Sequence, residues 1–134
     1  MSKIKIPLSS VIHPGFAPAM RAFMSQPLSM ALSFRLARVN KEIASQVEVY
    51  EEARRKRIQE VGIKSESGDW IVADPQKRRQ LINEIQALIE GTQISLPISE
   101  KFDVSGCTLT AEQIYALWDL VAEPQEEEAS KETE

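Results

Sequence analysis

The chain of 134 residues has one cysteine, Cys107, and one histidine, His13. A single thiol excludes an internal disulfide, and with one imidazole beside it there is no metal-ligand spacing. Five glycines are scattered through the chain, and none belongs to a phosphate-cradling loop or a nucleophile elbow. No run approaches the roughly 20 apolar residues needed to cross a bilayer. The opening Met1 to Ser10 alternates lysine with isoleucine and lacks the unbroken apolar core of a signal peptide. These absences predict a soluble, intracellular protein with no catalytic residue, cofactor, metal or membrane partner.

What is present is an ordinary globular composition, 43% apolar and 27% charged, enough for one core. The formal net charge of −4 is unevenly placed. From Glu123 onward six acids face one base, which leaves the rest of the chain at about +1. We expect one domain over residues 1–122 and a disordered acidic tail over 123–134, since the tail cannot bury enough apolar surface to order itself. Such a tail is a solubilising extension, or a mimic of nucleic acid that shields basic groups.

The longest feature runs from Leu28 to Val61. Leu32, Leu36, Val39, Ile43, Val47, Tyr50, Ile58 and Val61 recur at helical spacing, with Arg54 breaking the stripe once. The stripe advances about 3.6 residues per step, the period of a straight helix rather than a left-handed supercoil, so a long parallel coiled coil is disfavoured. Leu28, Met30, Phe34 and Ala37 add a second stripe to the first half. That predicts a first half buried under several elements and a second half touching one partner.

The partner is readable too. Asp74 and Pro75 supply a cap and a first-turn proline, and Leu81, Ile82, Ile85, Leu88 and Ile89 make an apolar face ending at Gly91. This helix is half the length of the spine, so folding back antiparallel it covers only the outer half. Between them, Ser67-Gly68-Asp69 before Trp70-Ile71-Val72 predicts a small β-hairpin or an extended tip at the far end. Lys3 to Leu8 and Thr92 to Ile98 alternate as strands that can pair. A short helix from Ala17 carries Met20, Phe23 and Met24, and Thr110 with Gln113 forms a capping box for a last helix carrying Ile114, Leu117, Trp118 and Val121. The predicted class is α+β, mainly α: a long antiparallel helical hairpin with a small two-stranded sheet and a C-terminal helix.

The densest charge lies in Arg54, Arg55, Lys56 and Arg57, joined by Lys77, Arg78 and Arg79 on the returning helix. In a hairpin both clusters lie near one end, where seven bases can form a patch for phosphates or an acidic partner. Glu51 and Glu52 stand beside them, and between Glu48 and Gln80 there are eight bases and seven acids, which favours a self-paired surface over a nucleic-acid site. Trp70, next to a polar turn where the core is thinnest, is a candidate contact residue of the same tip. Met20, Met24 and Met30 with Phe16, Phe23 and Phe34 read first as core and second as an adaptable apolar surface. A pairing of His13 with Cys107 lacks a third orienting group.

Tyr50-Glu-Glu-Ala-Arg-Arg-Lys-Arg-Ile-Gln-Glu-Val-Gly, then Gly68-Asp-Trp, Asn83-Glu-Ile-Gln-Ala-Leu, the following strand and Leu109-Thr-Ala-Glu-Gln-Ile-Tyr-Ala-Leu resemble a family of short proteins encoded by tailed bacteriophages and prophages. The resemblance covers most of residues 30–121 and rests on the order and spacing of helix patterns. In place of that family's aromatic-rich close, Leu117-Trp-Asp-Leu-Val-Ala runs into acid. The family has no assigned activity, so the resemblance implies no catalytic residue. It implies a non-enzymatic phage protein acting by protein contact, a structural or assembly component of the virion, in the host cytoplasm or the particle. The alternative is a small intracellular effector that binds a host or phage enzyme, including one acting on nucleic acid. Either role is compatible with a homo-oligomer.

Overall fold

Ser29 starts the spine. In the computed structural model, which describes residues 2–123, its Oγ accepts the amide hydrogen of Leu32 at 3.1 Å, and α3 (Met30–Val61) follows for 32 residues. At 1.5 Å per residue that is about 48 Å. The helix begins two residues after Leu28 because Ser29 supplies the cap. The tail beyond Glu123 lies outside the described residues.

The protein is mainly helical, with small sheets at each end of the spine. β1 (Lys5–Pro7) pairs antiparallel with β4 (Gln93–Ser95), placing Ile6 opposite Ile94. Ile6, Ile94, Leu96 and Ile98 are buried, as their alternation predicts. Strand geometry stops at Pro7, because buried Leu8 and Val11 are three apart and close one turn of helix, α1 (Leu8–Val11). α2 (Phe16–Met24) buries Phe16, Ala19, Met20 and Phe23 and leaves Met24 exposed.

α1 and α2 both touch α3, and a segment after β4 closes the core from below. There Phe102 forms a parallel bridge with Val121 and meets Phe23 edge to face, the ring centroids 5.8 Å apart. The Arg35 guanidinium of α3 sits 5.3 Å from the Phe102 ring centroid. Leu36, Val39, Ile43, Leu117 and Leu120 complete a core with no buried polar or charged side chain among the described residues. Gln26, just past α2, pins the loop before the last helix by exchanging hydrogen bonds with the Thr108 backbone at 3.0 and 3.1 Å.

α4 (Pro75–Gly91) returns along the outer half of α3, capped by the Asp74 carboxylate on the Gln76 amide. Between the helices, β2 (Ile63–Lys64) and β3 (Trp70–Ile71) form the expected hairpin, with Gly68 at φ 94° in its turn. Gly62 is required for a different reason. A Cβ there would stand 2.7 Å from the Ile58 carbonyl oxygen and 2.9 Å from that of Ile71.

Three expectations need correction. Of the second stripe, Leu28 packs against the core just before α3, but the other three are not core: Met30 is 88% and Phe34 66% exposed, and Ala37 also faces solvent. These residues lie on the side of the helix away from Leu36, Val39 and Ile43, and every short element of the base packs on the Leu36 side. On α4 only Leu81 is buried, while Ile82 and Leu88 stand exposed at the edges of an apolar arc about 120° wide. The last helix, α5 (Ala111–Ala116), has the Thr110–Gln113 capping box but ends before Trp118. The chain turns at Leu117, so Leu117 and Val121 enter the core while Trp118 points out, 54% exposed.

Candidate functional site

The seven bases of the outer hairpin do not converge. Arg57 is committed to α4, where its Nε and a terminal nitrogen donate to the two Glu84 oxygens at 2.7 and 3.0 Å, and its other terminal nitrogen reaches Glu60 at 3.1 Å. This fork holds the Glu84 carboxyl below its ordinary value, and the two carboxylates raise the Arg57 pKa. Arg54 leans on Glu51 at 3.9 Å, one turn earlier. Arg78 turns back onto the connection between β3 and α4 and donates to the Val72 and Ala73 carbonyls at 3.0 and 3.4 Å. Of the three, only Arg57 ties α3 to α4, while Arg54 and Arg78 are engaged by neighbours within a turn or two of chain.

The remaining bases diverge. Arg55 and Lys56 belong to the outward side of α3, with Val49, Glu52, Ala53 and Gln59. Arg79, two residues before the buried Leu81, projects about 200° around α4 from it, away from the hairpin interior. Lys77 is exposed in the first turn of α4. A patch of seven bases at one end is therefore not formed.

What the tip does present is apolar. Ile63 stands opposite Ile71 and Lys64 opposite Trp70, and directly opposed residues share a face of the ribbon. Both faces are open, since Ile63, Ile71 and Trp70 are all exposed, Trp70 at 39%. The ribbon touches the end of α3 through β3 but has no core of its own. Trp70 was legible as a contact candidate from its turn, and the two isoleucines were missed as contact residues.

The second exposed aromatic group lies at the base. Tyr115, 76% exposed, and Trp118 rim an open recess of about 290 Å³ with Ser9, Ser10, His13, Ala116 and Asp119. Serine, histidine and aspartate meet there, but not as a catalytic relay. Ser10 Oγ donates to the Asp119 carboxylate at 2.5 Å, while His13 Nδ1 accepts from the Gly15 amide at 3.0 Å. With Nδ1 used as an acceptor, the neutral ring carries its proton on Nε2 and has no free lone pair to activate the serine. No signal in the sequence joined Ser10 to Asp119, which are 109 positions apart.

Cys107 does not pair with His13. It precedes Thr108, held beyond the carboxyl end of α2 by Gln26, whereas His13 precedes the amino end of the same helix. Burial, with the Asp103 carboxylate nearby, pushes its thiol above the ordinary value, away from nucleophilic use. Among the described residues, no three His, Cys, Asp or Glu side chains are placed to share a metal ion. No described helix is long and apolar enough to cross a membrane. Compared with family models, curated proteins and solved structures, the chain matches none.

Proposed function

We propose that this protein works by contact rather than chemistry, as a structural or assembly component of a tailed-phage particle, and that the ribbon tip is its docking element. The observation that carries the contact reading is the placement of Ile63, Trp70 and Ile71 on a two-stranded ribbon open on both faces, at the end of an arm whose two helices are joined by the Arg57–Glu84 ion pair. Large apolar side chains kept in water at such a point are the usual anchors of a protein interface. The phage assignment rests on the resemblance of the Tyr50 to Gly62 and Leu109 to Leu117 segments and of the order between them. The partner on this reading is another phage structural protein, met in the host cytoplasm and carried into the virion.

Mass spectrometry of purified virions should find the protein in stoichiometric amount, and its absence would refute the particle role. The tip is tested by W70A combined with Ile71→Ser. Both residues are exposed, so folding by circular dichroism should be unchanged while incorporation is lost. Undiminished incorporation would remove the tip from the interface.

A further inference from the structure

The solvent face of α3 carries an ordered sequence of charge and size. From the amino end it reads Met30, Phe34, Ala37, Arg38, Lys41, then Ala44 and Ser45, then Glu48, Glu52 and Arg55. Spacings of three and four residues place all of them on the side opposite Leu36, Val39 and Ile43, and every one is exposed. Among the described residues, none of Arg38, Lys41, Glu48, Glu52 and Arg55 enters an ion pair. Thus a positive stretch and a negative stretch flank two small residues, and the most exposed apolar pair of the helix lies beyond the positive stretch.

We propose that this face pairs antiparallel with the same face of a second copy, the two-fold axis crossing near Ala44 and Ser45. An axis there sets each residue against one whose number makes a sum of about 89. Lys41 of one copy then meets Glu48 of the other, and Arg38 meets Glu52, each contact occurring twice, as a two-fold interface demands. Phe34 falls against Arg55, whose guanidinium and aliphatic stem both suit an aromatic ring. Ala44 and Ser45 keep the centre of the seam small enough for close helix approach. A parallel pairing would set Lys41 against Lys41 and Glu48 against Glu48, so the charge order selects the antiparallel arrangement. The second stripe of α3, unused by the monomer, is the apolar part of this seam.

Light scattering at low ionic strength should give twice the 15.1 kDa mass of the chain, with dissociation as salt is raised. R38E/K41E makes all four central charges negative, and E48K/E52K makes all four positive. Each variant alone should be monomeric, its dissociation constant weakened by about tenfold or more. Mixed in equal amounts, the two should recover a heterodimer. All four sites are exposed on a helix surface, so circular dichroism should show each variant folded. A wild-type mass equal to one chain, variants as dimeric as the wild type, or a mixture that fails to pair would each overturn the proposal.

Discussion

The two halves of α3 are one helix in two different environments. The inner half carries Leu36, Val39 and Ile43 into an all-apolar core shared by α1, α2, the β1–β4 sheet and the Phe102 segment. Along the outer half Tyr50 alone is fully buried, and α4 answers with buried Leu81 and the partly buried Ile85 and Ile89. What the outer half lacks in apolar area it replaces with geometry: the Arg57–Glu84 fork, the Arg78 contacts with the connection after the ribbon and the close passage at Gly62. Burial at about 25 cal/mol per Å² makes the base the source of global stability, while exposed ion pairs add little and mainly fix the position of the arm. A stable base and a loosely held tip is an arrangement suited to docking, because the elements that move are drawn from the least stable part of a fold.

The contrast is broken most severely at Phe102. Phe102→Ala removes the ring that meets Phe23, supports Arg35 and anchors the last segment, and it should cost about 3–5 kcal/mol in urea unfolding, melting the whole molecule as one unit. Gly62→Ala strikes the other half. The new methyl group collides with two backbone oxygens that cannot move independently, so a cost of about 1–3 kcal/mol is expected. That cost should appear as loss of hydrogen-exchange protection in the ribbon and α4, with the base intact. If G62A unfolded the base as readily as F102A, the two halves would be a single cooperative unit.

The first of these residues shows where sequence reading fails. Helical and strand periods placed the spine, α4, the ribbon and the β1–β4 pair correctly, because each has a local signal: an apolar period, a cap or a turn. Phe102, Val104 and Leu120 were missed because they lie in irregular backbone that has no period, and tertiary packing into the shared core buries them. Met30 and Phe34 failed in the opposite direction. Their spacing was right for a buried stripe, but a pattern states which residues share a face and not whether an element exists to cover it. The basic cluster was legible as residues but not as a site, since the commitment of Arg57 to Glu84 depends on a register between helices that local sequence does not specify.

Two smaller effects sharpen the same comparison. Thr110→Ala removes the capping box of α5 and should cost about 1 kcal/mol, read as a modest drop in thermal midpoint, because α5 packs on α2 within the strong base. The smallest effect is at Glu84. Its carboxyl titrates below the ordinary value of 4.5, so the Arg57 contact is fully present above that value and is lost as pH falls through the lower folded value. Acid should therefore loosen α4 before the base, and Glu84→Gln should abolish that early phase. An identical acid profile in E84Q would show that the fork contributes nothing to holding the arm.

The division of the spine is tested most directly by residue-resolved native-state hydrogen exchange along α3, performed in the R38E/K41E background so that self-association cannot protect the helix. The account predicts that amides from Leu36 to Val47 exchange only through global unfolding, while those from Ala53 to Val61, together with α4, open at a distinctly lower free energy. Uniform protection from one end of α3 to the other would contradict it.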